Sequence, residues 1–255
     1  MMALRIRMRK FGAWLRRWVP GFALCLAIVT LYLMGGLNFA ERQLAAARFQ
    51  WLKSDPSGSL VVVAIDAHSL QQMPFWPWPR SWHAEIIDRL QTAGASSIIF
   101  DVDFSAASSP NESSVEDEAL AAALARAGNK VTLPVFQQPE SAGTDDMKTS
   151  EPLPEFARHV RIASANVRGD SDGIVRSMSR YERWANAYVP TIANVAANQG
   201  ASERGRFIID FGIRAEKIPV VSFVDVIDGR VDPKLFAGKN VMIGSTALEL
   251  GDNIA

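Results

Sequence analysis

The chain holds 255 residues, in which 27 Lys and Arg balance 27 Asp and Glu, with 48% hydrophobic and 21% charged residues. That length carries one large domain or two small ones and buries a core without help, while the balanced charge supplies no field to draw it onto nucleic acid or an acidic substrate. Cys25 is the only cysteine, so the chain has no internal disulfide and its stability must come from burial.

The charge is uneven along the chain. Arg5, Arg7, Arg9, Lys10, Arg16 and Arg17 crowd residues 1–17, directly ahead of the uncharged run Trp18 to Leu37. About twenty helical residues at ~1.5 Å each span ~30 Å, the thickness of a bilayer's hydrocarbon core. The sequence therefore predicts one N-terminal transmembrane helix over residues 18–37, with Trp14 and Trp18 at the headgroup belt and Cys25 facing lipid. The basic cluster marks 1–17 as the cytoplasmic side, which puts residues 41–255 outside the cytoplasm in an inner-membrane protein. A cleaved signal peptide, cut near Asn38-Phe39-Ala40, is the alternative, although signal h-regions run only about 7–15 residues.

Glu41 to Leu52 reads as a helix leading from the membrane, and Ser54 to Ser59 as a short turn-rich hinge. Next come two apolar, β-branched runs, Leu60 to Ile65 and Ser97 to Phe100, each of strand length. Between them Trp82, Ile86, Ile87 and Leu90 recur at helical spacing, with Ser81 as the expected N-cap and Gly94 at C′. Strand, helix and strand within ~45 residues predict a right-handed parallel crossover.

Ser105 to Glu118 reads as a surface loop that feeds a helix over Val115 to Ala127, where Ser113 and Glu116 have capping-box spacing and Gly128 marks the end. Lys130 to Phe136 is a third strand, placed at an edge or strand end by Pro134. Gln137 to Pro154 reads as a long polar loop. Arg161 to Val167 and Val175 to Tyr181 are predicted to pair as a hairpin through the Asp- and Gly-bearing join Arg168 to Ile174. Val189 to Gln199 has helical spacing and ends at Gly200. Phe207 to Phe211 and Asn240 to Gly244 complete the strands, with a short helix over Ser222 to Ile227. The fold class expected is α/β, a mostly parallel sheet flanked by helices, preceded by the transmembrane helix.

Carboxylates end the first two strands: Asp66 on one, Asp101 and Asp103 on the other. Open α/β sheets bind ligands at the carboxyl ends of their strands. Capping the next helix or turn is the competing use of these aspartates, and a divalent cation shared among them a further one. Phe75-Trp76-Pro77-Trp78-Pro79-Arg80 adds two indoles held by alternating prolines and a guanidinium, residue types that anchor recognition sites. The plainer reading is that the indoles plug the end of the sheet, Pro79 starts the helix and Arg80 pairs with a strand-end aspartate. Asp66, Trp76, Trp78, Arg80, Asp101 and Asp103 are thus the candidate ligand-binding residues. No nucleophile elbow, phosphate loop or calcium loop is present, Asp170-Ser-Asp172-Gly173 being a turn. His68, His83 and His159 lack metal-ligand spacing and are expected on the surface or in turns. No catalytic residue, metal or cofactor is assigned.

Locally, residues 98–105 resemble the D-x-D strand end of haloacid-dehalogenase phosphohydrolases, with Ser105 where that family carries Thr or Val. An exported phosphohydrolase using Asp101 and Asp103 is therefore one alternative function. Over roughly Glu41 to Asp252 the chain resembles the second type of CHASE domain, an extracytoplasmic sensory module of bacterial signalling receptors. The resemblance rests on several motifs in order: VVVAIDAHSL, WPWPR with a helix ending LQTAGA, IIFDVDF, Asp172-Gly173-Ile-Val-Arg176, Ile218-Pro-Val-Val-Ser222 and GKNVMIGSTALELGD. It implies a non-enzymatic, membrane-anchored sensor for an unknown small-molecule or protein signal, acting as a homodimer. Such receptors carry a cytoplasmic output: a cyclic-di-GMP cyclase or phosphodiesterase, an adenylate cyclase or a kinase. The family's return helices and output are expected to lie outside this chain, which ends at Ala255. A non-binding structural spacer is the remaining alternative.

Overall fold

The computed structural model describes residues 2–33, 44, 48–49, 51–73, 76–108, 113–139, 147–170, 173–184, 187–197 and 205–247. They divide into two units, Met1–Ser54 with Asp210–Ile213, and Asp55–Ile209 with Arg214–Ala255.

The first unit contains helix α1 (Met2–Leu33), whose side chains from Trp18 onward are all exposed. Among the described residues no helix is long and apolar enough to cross a membrane; the end of the predicted span, residues 34–37, lies outside them. Of the predicted helix at 41–52, Leu44, Arg48, Phe49 and Trp51 are helical, Leu52 is not, and the others fall outside the described residues. Phe49 meets Phe211 edge-on at 6.0 Å, and Ser54 bridges Ile213 in parallel. The boundary of the units falls at the predicted hinge, where Lys217 holds Asp55 at 2.8 Å.

The second unit opens with β1 (Leu60–Ile65), α2 (Ala67–Gln72), α3 (Arg80–Thr92), β2 (Ser97–Asp101) and α4 (Ser113–Ala127). β3 (Val131–Pro139), β4 (Met147–Ser150), α5 (Pro154–Ala157) and β5 (Arg161–Ser164) follow. Next are β6 (Ser177–Ser179), β7 (Tyr181–Trp184), β8 (Ala187–Pro190), α6 (Ile192–Ala196) and β9 (Arg206–Ile208), then β10 (Val220–Ser222), α7 (Phe223–Ile227) and β11 (Asn240–Ser245). The main sheet runs β10-β1-β11-β2-β3-β4 with β5 also on β3, and every pairing is parallel except that of β4. β1 and β2 are therefore parallel but not neighbours. The late strand β11 lies between them, with Ile243 opposite both Val63 and Phe100.

Alternation across the strands sends Val61, Val63, Ile65, Phe100 and Ile243 to one face, against Ile86, Ile87 and Leu90 of α3, Leu120 and Leu124 of α4 and Phe223 of α7. Each such residue, fully buried, contributes about 1.5–3 kcal/mol. The other face carries a smaller cluster of Ile99, Ala163 and Ile192 of α6. Gly94, at φ +80, ends α3 where a side chain would be strained.

Several expectations need correction. α3 begins at Arg80 after Pro79, and Ser81 is not its cap. The Ser81 N–H donates instead to the Glu116 carboxylate of α4 at 2.7 Å, so Glu116 caps a neighbouring helix. The predicted hairpin does not form, because the edge of β3 takes β5 in parallel while β6 pairs with β9. The turn between β5 and β6 is real, closed by Gly173 N–H to Asp170 O at 2.8 Å. Pro134 sits inside β3, tolerated because the β2 ladder ends two residues earlier, at Thr132. The supposed loop at 137–154 holds β4, and Val189 belongs to a β7–β8 hairpin, which shortens the helix to Ile192–Ala196 behind its Thr191 cap. The strand expected at Phe207 to Phe211 runs Arg206–Ile208. His83, expected at the surface, is 2% exposed.

Candidate functional site

All the main-sheet strands but β4 run the same way, so Asp66, Asp101 and Asp103 emerge at one edge, the carboxyl edge. Asp66 is the N-cap of α2: its Oδ1 accepts from the Ser69 N–H at 2.8 Å and the Ser69 hydroxyl at 2.7 Å. Its Oδ2 accepts from the hydroxyl of Ser222, at the end of β10. Burial pushes the Asp66 carboxyl up, but the Ser222 and Ser69 hydrogen bonds outweigh it and hold the pKa below the usual aspartate value. Ser69 passes the connection on by accepting from the Val224 N–H at 3.2 Å, which joins α2 to α7. Asp101 is half-buried, two strands away across β11. A Cβ on Gly244 would lie 3.3 Å from the Asp101 Cβ, so glycine there lets the carboxylate sit close against β11. The Ser245 hydroxyl, at the end of β11 between these strands, is buried without a hydrogen-bond partner among the described residues.

The Trp-Pro segment closes this edge from one side. Trp78 is 3% exposed, donates from Nε1 to the Met73 carbonyl at 2.7 Å, and lies 4.8 Å from Phe223, centroid to centroid. Trp76, joined to Pro77 by a cis peptide, packs edge-on to Trp78 at 5.1 Å and remains 37% exposed. Arg80 lies over the Phe104 ring at 4.7 Å, donates to the Ala106 carbonyl at 2.9 Å and is 3.7 Å from Asp117 of α4. Its nearest carboxylate is thus that of a helix, with the charge of the strand-end Asp103 acting on it as well. Asp103, exposed, accepts from the Ser105 N–H at 2.8 Å. Beneath them His83 sits among Phe100, Phe104, Phe223 and Trp78. Burial, with a smaller push from Arg80, lowers its pKa to about 3, so the imidazole is neutral.

The motifs of this strand-end edge can be set against known families. The CHASE2 domain model matches residues 23–255. The chain belongs to the CHASE2 family. CHASE2 domains are extracytoplasmic and sensory, not catalytic. Searches among curated proteins and among solved structures find no match.

In this CHASE2 domain the six predicted residues share one edge but not one use. Asp66, Trp78 and Arg80 are committed to capping, plugging and packing, while Trp76 and Asp103 face solvent and Asp101 is half-buried. Among the described residues no group of three or more His, Cys, Asp and Glu is placed to hold a metal. Sequence reasoning missed Ser69, Ser222 and Asp117, and gave the capping carboxylate of Glu116 to its own helix instead of α3. The Asp66-x-x-Ser69 spacing is itself an N-cap signal; Ser222 and Asp117 act from far along the chain and leave no local trace.

Proposed function

We propose that this chain is the membrane-anchored, extracytoplasmic input domain of a bacterial signal-transduction receptor. In this reading the run from Trp18 to Leu37 spans the inner membrane with residues 1–17 in the cytoplasm, and the sheet unit takes up a signal outside it. The signal sits at the carboxyl ends of β1 and β2, touching Trp76, Asp101 and Asp103 and supported from behind by Asp66, Trp78 and Arg80. It shifts the contacts of a homodimer, and the shift reaches a cytoplasmic output domain. A ligand moves such an equilibrium only by its difference in affinity between the two states. The family match over residues 23–255 carries the reading, and the unpartnered Ser245 hydroxyl at the strand ends supports the place.

Because Cys25 is the only native cysteine, topology is testable by labelling a Cys25→Ser, Lys148→Cys chain, Lys148 being exposed on β4. A membrane-impermeant maleimide added to intact spheroplasts is expected to label it; labelling only after lysis would sink the extracytoplasmic assignment. For the site, a thermal-shift screen is run on wild type and on folded Arg80→Ala and Asp103→Ala variants. Hits that bind both variants unchanged would remove the signal from this corner.

A further inference from the structure

A second cleft lies on the same carboxyl edge, at the ends of β3 and β5, far in sequence from the motifs that mark the first. It encloses about 460 Å³, within the range of about 300–1,000 Å³ typical of small-ligand sites. β3 runs on past its pairing with β5 to provide Gln137, the chain leaving β5 provides Asn166 and Arg168, and the two small antiparallel ribbons close the far wall with Ser177, Arg183 and Arg206.

The charge inside is one-sided. Arg168, Arg183 and Arg206 line the cleft against one carboxylate, Glu182. Glu182 is already paired with Arg168 at 3.2 Å. Arg206 is oriented by two donations to the Ser177 hydroxyl, at 3.2 and 2.7 Å, with Asp170 3.7 Å away. Arg183 is exposed and has no acidic partner among the described residues. On the wall, the Asn166 side-chain oxygen accepts from the Gln137 N–H at 3.0 Å, which fixes the amide orientation and leaves its NH₂ buried without a partner among the described residues. Buried donors left unpaired cost about 1–3 kcal/mol, so such a group favours an acceptor brought into the cleft. Met147 and Met178 add apolar, adaptable surface.

We infer that this cleft binds a small organic carboxylate. Guanidinium groups pair with a carboxylate through two parallel N–H donations; Arg183 and Arg206 supply them, while the methionines take the carbon skeleton that an inorganic anion lacks. The inference goes beyond the corner described above and uses none of its residues. Binding is read directly, so it stands or falls apart from the sensory reading.

The test is titration calorimetry on the full chain in detergent micelles, with succinate, hexanoate, neutral succinamide and inorganic phosphate as probes. At least one carboxylate is expected to bind with Kd below about 1 mM, and more tightly than succinamide or phosphate. Its affinity should fall about ten- to a hundred-fold in Arg183→Glu, the loss expected when a charged hydrogen bond goes, and should hold in Asp103→Ala. Arg183→Gln, which does not reverse the charge, should lose affinity in the same direction. No binding by either carboxylate, equal binding of phosphate or succinamide, or an unchanged Kd in a folded Arg183→Glu chain would each overturn the assignment.

Discussion

At the β1–β2 corner both Asp66 carboxylate oxygens accept from serine partners and Trp78 donates its indole N–H to Met73, whereas at the β3–β5 cleft the Arg183 guanidinium and the Asn166 NH₂ meet no partner among the described residues. The corner's polar groups are largely spent on holding strands and helices together, and the cleft, though Arg168, Glu182 and Arg206 are paired there, keeps one guanidinium and one buried NH₂ for something else. Two places on one sheet edge thus separate conspicuous chemistry from unused chemistry. The residues that stand out by type divide: the fold consumes Trp78 and Asp66, while Trp76 and Asp103, equally conspicuous, stay exposed.

The comparison breaks most readily at Trp78. If the indole is a plug, Trp78→Ala removes a buried ring from contact with Phe223 and a hydrogen bond to Met73, and should cost about 3–5 kcal/mol of stability by urea denaturation. A loss under about 1 kcal/mol would return Trp78 to the list of recognition residues and undo the contrast.

His83 sharpens it next. The imidazole is neutral when folded, with its pKa pushed down from 6.5 to about 3. Below pH 6.5 the unfolded chain takes up a proton that the folded chain refuses, so stability is full above pH 6.5 and falls as pH drops toward 3. The slope approaches about 1.4 kcal/mol per pH unit, or about 2 kcal/mol by pH 5. His83→Phe, which suits the ring of aromatics around it, should flatten the denaturation midpoint between pH 6.5 and 5. A wild type equally stable at both pH values would mean that His83 reaches solvent and that the corner is open.

Much of this corner was legible in advance, and the cleft was not, for a physical reason. Leu60 to Ile65 and Ser97 to Phe100 announce themselves because strands covered on both sides must be apolar throughout, and Gly94 and Pro79 punctuate the helix between them. The insertion of β11 between β1 and β2 could not be read, since pairing depends on a strand about 140 residues later that looks like any other buried run. β6 and β9 lie on runs that read as strands, but their pairing with each other does not show in either run, and β7 and β8, four residues each, are too short for alternation to register against the loops around them. The arginines on them read as ordinary surface charge. His83 is misplaced by residue type alone; its place three, four and seven residues before Ile86, Ile87 and Leu90 puts it on the apolar face of the helix.

Asp66 offers a smaller test of the same contrast. Asp66→Ala removes the cap of α2 and the Ser222 tie to β10, and should cost about 0.5–2 kcal/mol near neutral pH. Because the folded carboxyl titrates below its reference of 3.8, its contribution is present above that pH and is lost as pH falls through the lower folded value. The penalty of the variant should therefore shrink in acid below about pH 4. A penalty that stays constant into acid would mean the carboxylate's charge is not what ties α2 to β10.

The smallest expected effect is the most telling for the cleft. Arg183 is exposed and unpaired among the described residues, so Arg183→Ala should leave stability within about 0.5 kcal/mol of wild type. A half-exposed residue that the fold needs would behave otherwise, as Arg168 should, since its removal leaves the partly buried Glu182 carboxylate without its cation. Comparing the two by thermal denaturation separates arginines that hold the wall from the one that faces the opening. Equal destabilisation would make Arg183 part of the wall, and the cleft would then be as spent as the corner.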